Sequence, residues 1–336
     1  MVRIAEDGLI ERIRRRIPSQ EGGLLRMGIG HDAAVIRPRG WDWVITCDQF
    51  LEGVHFLADK HPPDSVGYKA LARATSDIAA MTAQPRFFLL SLALPAKRTG
   101  PWLRAMLSGM ARASKRFGLR LAGGDTARTV NEGPRLAMNV TVLGELARGR
   151  AIGRAGASPG DDIYVTGVLG QAQLGLDLLL RAKDGQRQSR KLLAHHLYPT
   201  LPLDFALWLG RNRVPTAMMD ISDGLSTDLT RLCQASGVGA RIYSDQIPAV
   251  AVPLSLQKRP SLHALTLALH GGEDYGLLFT ARRRIASRIA PIFGRTHITR
   301  IGEIVSGSGV KLVDAQGKAS ILLPGGWDHF AKGLKQ

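Results

Sequence analysis

With 336 residues the chain is about twice the length of an average domain, so we expect two domains. Hydrophobic residues make up 45% of it and charged residues 22%, as in ordinary globular proteins, and its longest apolar run, residues 87–94, is too short to cross a bilayer. Two cysteines, Cys47 and Cys233, exclude a disulfide framework and a four-cysteine zinc site. Because the N-terminus also lacks the apolar core of a signal peptide, we expect a cytoplasmic protein without membrane contact.

The formal net charge of +17 predicts attraction to anions, among them nucleotides, phosphorylated metabolites and nucleic acids. The basic residues are dispersed, however, and the sequence has no zinc finger, no RNP-type aromatic motif and no basic-helix dimer pattern. We therefore expect solvated basic surfaces and do not expect nucleic acid to be the main partner.

Strands and helices alternate along the N-terminal half, where Pro62-Pro63-Asp64 is a helix start signal and Pro85 a stop signal. The predicted elements are a helix at residues 9–17, a strand at 43–47 that ends at Asp48, a helix from 62 that stops before Pro85, a buried strand at 87–94, a helix at 102–117, and strands at 119–122 and 135–143.

A glycine- and arginine-rich joint at residues 148–156 separates the two halves. We place the domain boundary near residue 150, which gives domains of residues 1–150 and 151–336. The second half is predicted to contain a strand at 163–166, a helix at 171–182, an exposed polar loop at 183–190, a helix beginning near Asp228 and a strand at 275–280. The alternation in both halves indicates the α/β or α+β class.

Six aspartates stand in unusual settings for carboxylates. Five are predicted at turns or strand ends: Asp32, Asp48, Asp125, Asp220 and Asp223. The sixth, Asp77, falls on the buried stripe of its helix, where desolvation of an unpaired carboxylate is costly. Either a metal ion or Lys69, two turns earlier on the same helix, would satisfy it, and the spacing leaves both possibilities open.

Several carboxylates without a Cys/His cluster point to a hard cation such as Mg²⁺. Because Mg²⁺ takes only one or two carboxylates each and completes its shell with phosphate and water oxygens, six aspartates predict several ions bridging a polyphosphate. The sequence has no P-loop motif, no protein-kinase catalytic loop and no EF-hand spacing. Gly123-Gly124, predicted to follow a strand, would let backbone N–H groups approach a phosphate closely.

Taken in order, the motifs resemble those of the thiamine-monophosphate kinase family, within the aminoimidazole ribonucleotide synthetase superfamily. The eight matching stretches span nearly the whole chain: residues 30–35, TCDQFLEGVHF (46–56), GYKALARATSDIAAMTAQP (67–85), LAGGDT (121–126), RAGASPGDDIYVTGVLGQAQLG (154–175), MDISDGL (219–225), GGEDYGLLFT (271–280) and GWDHF (326–330). One such motif would be weak evidence, but eight in the family's order are strong.

The resemblance implies two domains of the aminoimidazole ribonucleotide synthetase type, the first with a mixed sheet that pairs in a homodimer. ATP would lie in a groove formed partly by both subunits. The implied reaction is ATP- and magnesium-dependent phosphorylation of thiamine monophosphate to thiamine diphosphate, by direct in-line transfer without a covalent nucleophile. The acceptor is already a phosphate anion near neutral pH, since its second pKa is about 6, so no general base is required.

Carried onto this sequence, the resemblance assigns roles to three groups of residues. The implied magnesium ligands are Asp32, Thr46, Cys47, Asp48, Asp77, Asp125, Asp220 and Asp223. The implied nucleotide contacts are Gly124, Arg154 and Ser222, and the implied thiamine-phosphate contacts are His55, Glu273 and Trp327. By residue type alone, His55 also fits a structural histidine, Trp327 a core anchor and Glu273 a turn before a strand.

Some positions depart from the family's motifs: His31, Cys47, Ala74-Thr75, residues 171–173 and Gly276. These departures bear on ion number, affinity and acceptor choice more than on reaction class. Two other functions stay open on the sequence. One is an ATP-using enzyme of the same superfamily with a different phosphate, amide or selenium acceptor. The other is a non-catalytic protein that binds nucleotides or nucleic acid.

Overall fold

The computed structural model describes residues 25–27, 31–37, 40–129, 135–181, 190–254, 256, 262–283 and 297–330. The helix predicted at residues 9–17 and most of the loop predicted at 183–190 lie outside these ranges. The described chain forms two mixed sheets with helices packed on them, an α+β arrangement. Within the described residues, no helix is long and apolar enough to cross a membrane.

The first sheet contains six strands: β1 (Leu25–Met27), β2 (Ala34–Ile36), β3 (Trp41–Leu51), β4 (Gln84–Leu94), β5 (Arg120–Arg128) and β6 (Ala137–Ala147). Their order across the sheet is β1-β2-β3-β6-β4-β5, and all neighbours are antiparallel except β4 and β5. Asp48 lies within β3, so the prediction that it ends a strand is wrong. The prediction that Gly123-Gly124-Asp125 forms a turn is also wrong, because β5 runs through it.

Two helices pack against this sheet, α1 (Pro63–Ala80) and α2 (Pro101–Phe117). Proline at the first helical position starts each of them, where its missing N–H is not needed. Their backbones touch at two glycines: a Cβ on Gly67 would lie 2.0 Å from the Met106 carbonyl oxygen, and one on Gly109 would lie 1.7 Å from that of Asp64. This close packing fixes α1 over β3 and β6.

The two faces of the first sheet differ in burial. Even-numbered residues of β3 and β6, such as Val44 and Val140, are buried under α1. Odd-numbered residues of β4 point to the other face, where Phe87 and Leu89 are 37% and 39% exposed. The prediction of a wholly buried strand at residues 87–94 is therefore wrong, since only one face of β4 is covered.

The second sheet contains seven strands: β7 (Asp162–Thr166), β8 (Ala217–Ile221), β9 (Gly239–Tyr243), β10 (Gly276–Ala281), β11 (Ile298–Val305), β12 (Gly309–Val313) and β13 (Ala319–Ile321). Their order is β13-β12-β9-β11-β7-β10-β8, antiparallel except for β9 and β12. Its helices are α3 (Gln171–Arg181), α4 (Arg190–Leu197), α5 (Leu203–Arg211), α6 (Leu225–Ser236) and α7 (Ala264–His270). The boundary predicted near residue 150 falls between β6 and β7.

Helix α1 also packs on the second half of the chain, against β8, α4 and α5. Ala79 near its C-terminus shares a buried cluster with Phe205, Met218 and Phe279. This contact brings the last turn of α1 beside the carboxyl end of β8, where Asp220 lies.

Candidate active site

Three of the predicted aspartates converge at the junction of the two halves. Asp32 comes from the segment before β2, Asp77 from the last turn of α1, and Asp220 from β8. One carboxylate oxygen of each lies within 4.8 Å of the others. We call these three residues the central aspartate group.

Hydroxyls and one arginine are hydrogen-bonded to the central aspartate group. Arg154 donates to Asp32 through Nη2 at 2.9 Å and Nε at 3.1 Å. Thr46 donates its hydroxyl to Asp77. Asp220 accepts from two serines, Ser76 at 2.6 Å and Ser222 at 3.2 Å. Among the described residues, Arg154 is therefore the one cation paired with these three carboxylates.

With one arginine paired with three carboxylates, the pKa values of Asp77 and Asp220 are raised. Burial, and then repulsion from Asp48 and its two partners, raises the pKa of Asp77 well above its usual value. Burial and the charge of Asp32 raise the pKa of Asp220 to about 7. A bound cation reverses such shifts. The donor set, all carboxylate and hydroxyl oxygens, fits a hard divalent cation such as Mg²⁺.

Lys69 does not neutralise Asp77. Its ammonium, 1% exposed, lies 2.6 Å from Glu273 and 3.2 Å from Nδ1 of His196. The sequence alternative of a Lys69–Asp77 ion pair is therefore wrong, because the lysine side chain extends towards residues 271–275 instead.

Two further aspartates flank the central aspartate group, each beside an arginine. Asp48 lies 3.4 Å from Nε of Arg73, and Asp223 is paired with Arg231. Burial raises the pKa of Asp48, and the charge of Asp223 contributes to that increase, which places the two carboxylates near each other. These pairs extend the acidic region beyond the central group.

Asp228 was not among the predicted site residues, although it lies in this region. Its buried carboxylate accepts the backbone N–H of Asp223 at 3.1 Å. Burial, followed by the charges of Asp223 and Asp220, raises the pKa of Asp228 well above its usual value. The helix predicted to begin near Asp228 begins at Leu225, so this carboxylate lies in the first turn of α6. A third carboxylate so soon after Asp220 and Asp223 was the signal available in the sequence.

Asp125 and Cys47 do not join the group within one subunit. The register aligns Asp125 with Ser91, then Asn139, then Gln49, so three strand spacings, about 14 Å, separate it from β3. Both side chains lie on the open face of the sheet, and the Cys47 thiol donates to Asn139 at 3.2 Å. Asp125 instead lines a cavity of about 190 Å³ on that face.

The third predicted nucleotide contact, Gly124, has a structural reason to be glycine. A Cβ there would lie 2.0 Å from the Leu90 carbonyl oxygen on the neighbouring strand β4. The glycine thus permits close strand packing, whether or not its backbone also contacts a phosphate.

The three predicted substrate residues lie near one another beside the acidic region. The His55 ring stacks on Phe50 at 5.5 Å between centroids and meets the His329 ring edge-on at 5.2 Å. His329 in turn contacts Trp327, at 5.5 Å. His329 belongs to the GWDHF motif, but the motif alone gave it no predicted role. The backbone N–H of Trp327 donates to the backbone carbonyl of Asp223 at 2.9 Å, which joins this aromatic cluster to the acidic region.

His55 is neutral and has a fixed tautomer. Burial, and then the positive charge of Arg73, lowers the pKa of His55 to about 3. Its Nδ1 accepts the Leu51 N–H at 2.9 Å, so Nε2 carries the proton. Its charge is therefore unchanged throughout the physiological pH range.

Residues 271–275 hold Glu273 in a strained conformation. Glu273 and Tyr275 have φ values of 69° and 50°, which side chains with a Cβ seldom adopt. Asp274 accepts backbone N–H groups of Gly170 at 2.6 Å and Ala172 at 3.0 Å, at the start of α3. The Glu273 N–H donates to the Ser222 carbonyl at 2.7 Å. The segment is thus fixed at several points, as strained functional segments are, and is more than a simple turn.

A larger cavity, of about 370 Å³, lies away from these residues. It opens between the first sheet and α5 and is lined by Trp41, Glu145, Arg150 and Arg211 among others. It contains none of the predicted site residues, so the clustered carboxylates and aromatic rings locate the candidate site better than cavity size does.

Known proteins match the chain over almost its full length. The family model for the AIR synthase related protein N-terminal domain matches residues 30–146, and that for the C-terminal domain matches residues 158–315. Thiamine-monophosphate kinase of Aquifex aeolicus is 33% identical, with 97% of this chain and 98% of the relative covered. The Escherichia coli K12 enzyme of the same name is 35% identical, with 97% and 98% covered.

Solved structures agree with the sequence matches. The structure of AaThiL complexed with AMPPCP and TMP superposes with a TM-score of 0.85 at 32% identity, and covers 98% of this chain and 99% of that one. Escherichia coli HypE, a hydrogenase maturation protein, has a TM-score of 0.68 at 21% identity and shares the fold alone. The expected two-domain α+β fold is confirmed, and the chain belongs to the thiamine-monophosphate kinase family, whose two domains are those of the AIR synthase related proteins.

Proposed function

We propose that this protein transfers the γ-phosphoryl group of ATP to thiamine monophosphate, giving thiamine diphosphate and ADP. The observation that carries the proposal is the central aspartate group, with its ligand oxygens within 4.8 Å, next to the aromatic and acidic residues of the predicted substrate site. AaThiL, solved with AMPPCP and TMP, supports the same substrates here.

Magnesium would be held by Asp32, Asp77 and Asp220, with Asp48 and Asp223 beside them. When bound, it would neutralise the polyphosphate and stabilise charge on the transferred phosphoryl group. The protein supplies the means of binding it: converging oxygens, and a negative charge that Arg154 only partly offsets. Arg154 and Ser222, each hydrogen-bonded to a member of the group, would also contact the nucleotide.

The acceptor would bind against the His55, Trp327 and Glu273 side chains. The aromatic rings offer flat surfaces for the rings of thiamine, and neutral His55 does not repel the positively charged thiazolium. Burial alone would raise the pKa of Glu273, but Lys69 and His196 hold it well below its usual range, so this carboxylate is ionised. It would attract the thiazolium, and transfer then proceeds from the acceptor phosphate without a general base.

The open face of the first sheet would pair with a second copy of the chain. Phe87 and Leu89 are exposed apolar side chains on it. Asp125 lies on the same face, so a homodimer would bring it towards the site of the other subunit. This arrangement accounts for a predicted magnesium ligand that lies about 14 Å from β3 within its own subunit.

The test is a phosphoryl-transfer assay with purified protein, ATP, Mg²⁺ and thiamine monophosphate. We expect thiamine diphosphate and ADP in equal amounts, with no product from Asp77→Asn. Asp314→Asn, in the turn between β12 and β13, is the matched control and keeps the wild-type rate. ADP without thiamine diphosphate would point to a different acceptor, and nucleotide binding without either product would point to a non-catalytic protein.

A further inference from the structure

Arg73 lies on α1 beside Asp48, and the sequence motifs gave it no predicted role. Lys69, Arg73 and Asp77 are spaced four residues apart on α1, so they follow one another along one face of the helix. Lys69 holds Glu273 at one end of this row, and Asp77 belongs to the central aspartate group at the other. Arg73 is one helical turn, about 6 Å along the axis, from each of them.

The surroundings of Arg73 come from both halves of the site. Its Nε lies 3.4 Å from Asp48, a predicted magnesium ligand. Burial lowers the pKa of Arg73, but the charges of Asp48, Glu273 and Asp223 contribute to a larger opposing increase, so the guanidinium stays charged. Its positive charge also acts on His55. One side chain thus contacts the acidic region and lies one helical turn from Lys69, which holds the substrate residue Glu273.

The guanidinium also has donors available for a ligand. Arginine carries five N–H donors, and within the described residues Arg73 makes one ion pair, with Asp48, that is longer than the 2.9 Å contact of Arg154 with Asp32. The Arg73 side chain is 22% exposed, so solvent and small molecules reach it. A planar fork of donors at such a position suits a phosphate group.

We propose that Arg73 binds the phosphate of the acceptor and positions it for attack, an inference that rests on the proposed function. An acceptor phosphate directed towards the central aspartate group would come near Arg73, which contacts Asp48 and lies one helical turn from Asp77. In the reaction, an acceptor phosphate oxygen forms a bond to the γ-phosphorus of ATP. The bond from that phosphorus to the bridging oxygen breaks, and its electron pair leaves with ADP. Arg73 offsets the repulsion between the two phosphates as they approach.

The test compares binding of thiamine monophosphate and of thiamine, which differ only in the phosphate, by calorimetry without ATP. In Arg73→Gln we expect the affinity for thiamine monophosphate to fall roughly 10- to 100-fold and that for thiamine to change less than about threefold. Arg73→Lys keeps the charge and restores part of the lost affinity. Arg241→Gln, which removes an exposed ion pair with Glu303 in the second sheet, is the matched control and leaves both affinities unchanged.

Steady-state kinetics give the second measurement. We expect Arg73→Gln to raise KM for thiamine monophosphate by a similar factor while KM for ATP stays within about threefold. Equal losses of thiamine and thiamine monophosphate binding, or an increase in KM for ATP alone, would overturn the proposal. Unaltered KM values in a variant that makes thiamine diphosphate would overturn it and leave the proposed function standing. A wild-type protein that forms no thiamine diphosphate would remove both.

Discussion

Helix α1 presents two ionisable side chains two turns apart, the buried Lys69 and the half-buried Asp77, and the protein surrounds them differently. Lys69 is matched by Glu273 at 2.6 Å, with His196 completing a compact cluster. Asp77 lies among other carboxylates, and Arg154 is the one cation paired with its group within the described chain. The charge of Lys69 is neutralised within the protein by Glu273. The carboxylates around Asp77 are fully neutralised only when a cation binds.

The difference separates a charge that the protein itself neutralises from charges that need a bound cation. A buried ion pair in good geometry needs no further partner, but removing one member leaves an uncompensated charge. Converging carboxylates that raise one another's pKa values carry a cost to stability, which is typical of ligand sites. Removing a charge from the Lys69–Glu273 pair and removing one from the central aspartate group should therefore have different effects.

The largest effect is expected on catalysis, when a carboxylate of the central aspartate group is removed. Asp220→Asn removes one carboxylate of the central aspartate group but keeps its size and its ability to accept from Ser76. We expect kcat/KM for thiamine diphosphate formation to fall about 10³-fold or more, as for loss of a metal ligand in phosphoryl transfer. A decrease of less than about tenfold in a steady-state assay at saturating Mg²⁺ would contradict the assignment.

At the Lys69–Glu273 ion pair the expected effect is on stability. Lys69→Met leaves the half-buried Glu273 without its partner and should lower the free energy of unfolding by about 1–3 kcal/mol in urea denaturation. The double variant Lys69→Met/Glu273→Gln removes both charges and should recover part of that loss. Additive losses in this double-mutant cycle would show that the two side chains are not coupled.

The pH dependence of stability should also reveal the raised pKa of Asp220 in the central aspartate group. The pKa of Asp220 is about 7 in the folded protein, and an unfolded aspartate titrates near 4. Between these values the folded state holds the extra proton, so raising the pH destabilises it, by about 1 kcal/mol per pH unit for one such group. Without Mg²⁺, wild-type stability should therefore decline more steeply from about pH 4 to 7 than that of Asp220→Asn. Parallel curves would contradict the raised pKa.

The smallest effect is expected at Cys47, whose side chain lies on the open face of the sheet with Asn139 and Thr141. A serine keeps these hydrogen bonds, so Cys47→Ser should change kcat by less than about threefold. A large loss of Mg²⁺-dependent activity would mean that the thiol itself takes part in binding the metal.

The fold and much of the site could be predicted from sequence because their signals are local. Proline punctuation defined α1, and the carboxylates of Asp32, Asp77 and Asp220 were recognisable from their motifs. The partner of Lys69 was not predictable, since Glu273 lies 204 positions away and its direction depends on the strained segment 271–275. The open face of β4 was likewise hidden, because an apolar run does not reveal whether one face or both are covered.

Arg73, inside the stretch 67–85, and Asp228, just after the stretch 219–225, were the other omission. Arg73 and Asp228 carry charge in the acidic region, yet arginine and aspartate on helices are common on solvated surfaces, so residue type gave no reason to select them. Only the folded chain shows that the Arg73 side chain lies beside Asp48, and that the Asp228 carboxylate accepts the Asp223 N–H.

The most direct test of the account is binding of Mn²⁺, as a spectroscopic substitute for Mg²⁺, measured by electron paramagnetic resonance with AMPPCP present. Wild-type protein and Glu273→Gln should bind the ion with similar affinity, because Glu273 is paired with Lys69 and is not part of the central aspartate group. Asp220→Asn should bind it at least about tenfold more weakly. Equal binding by wild type and Asp220→Asn would contradict the claim that the central aspartate group holds the catalytic metal.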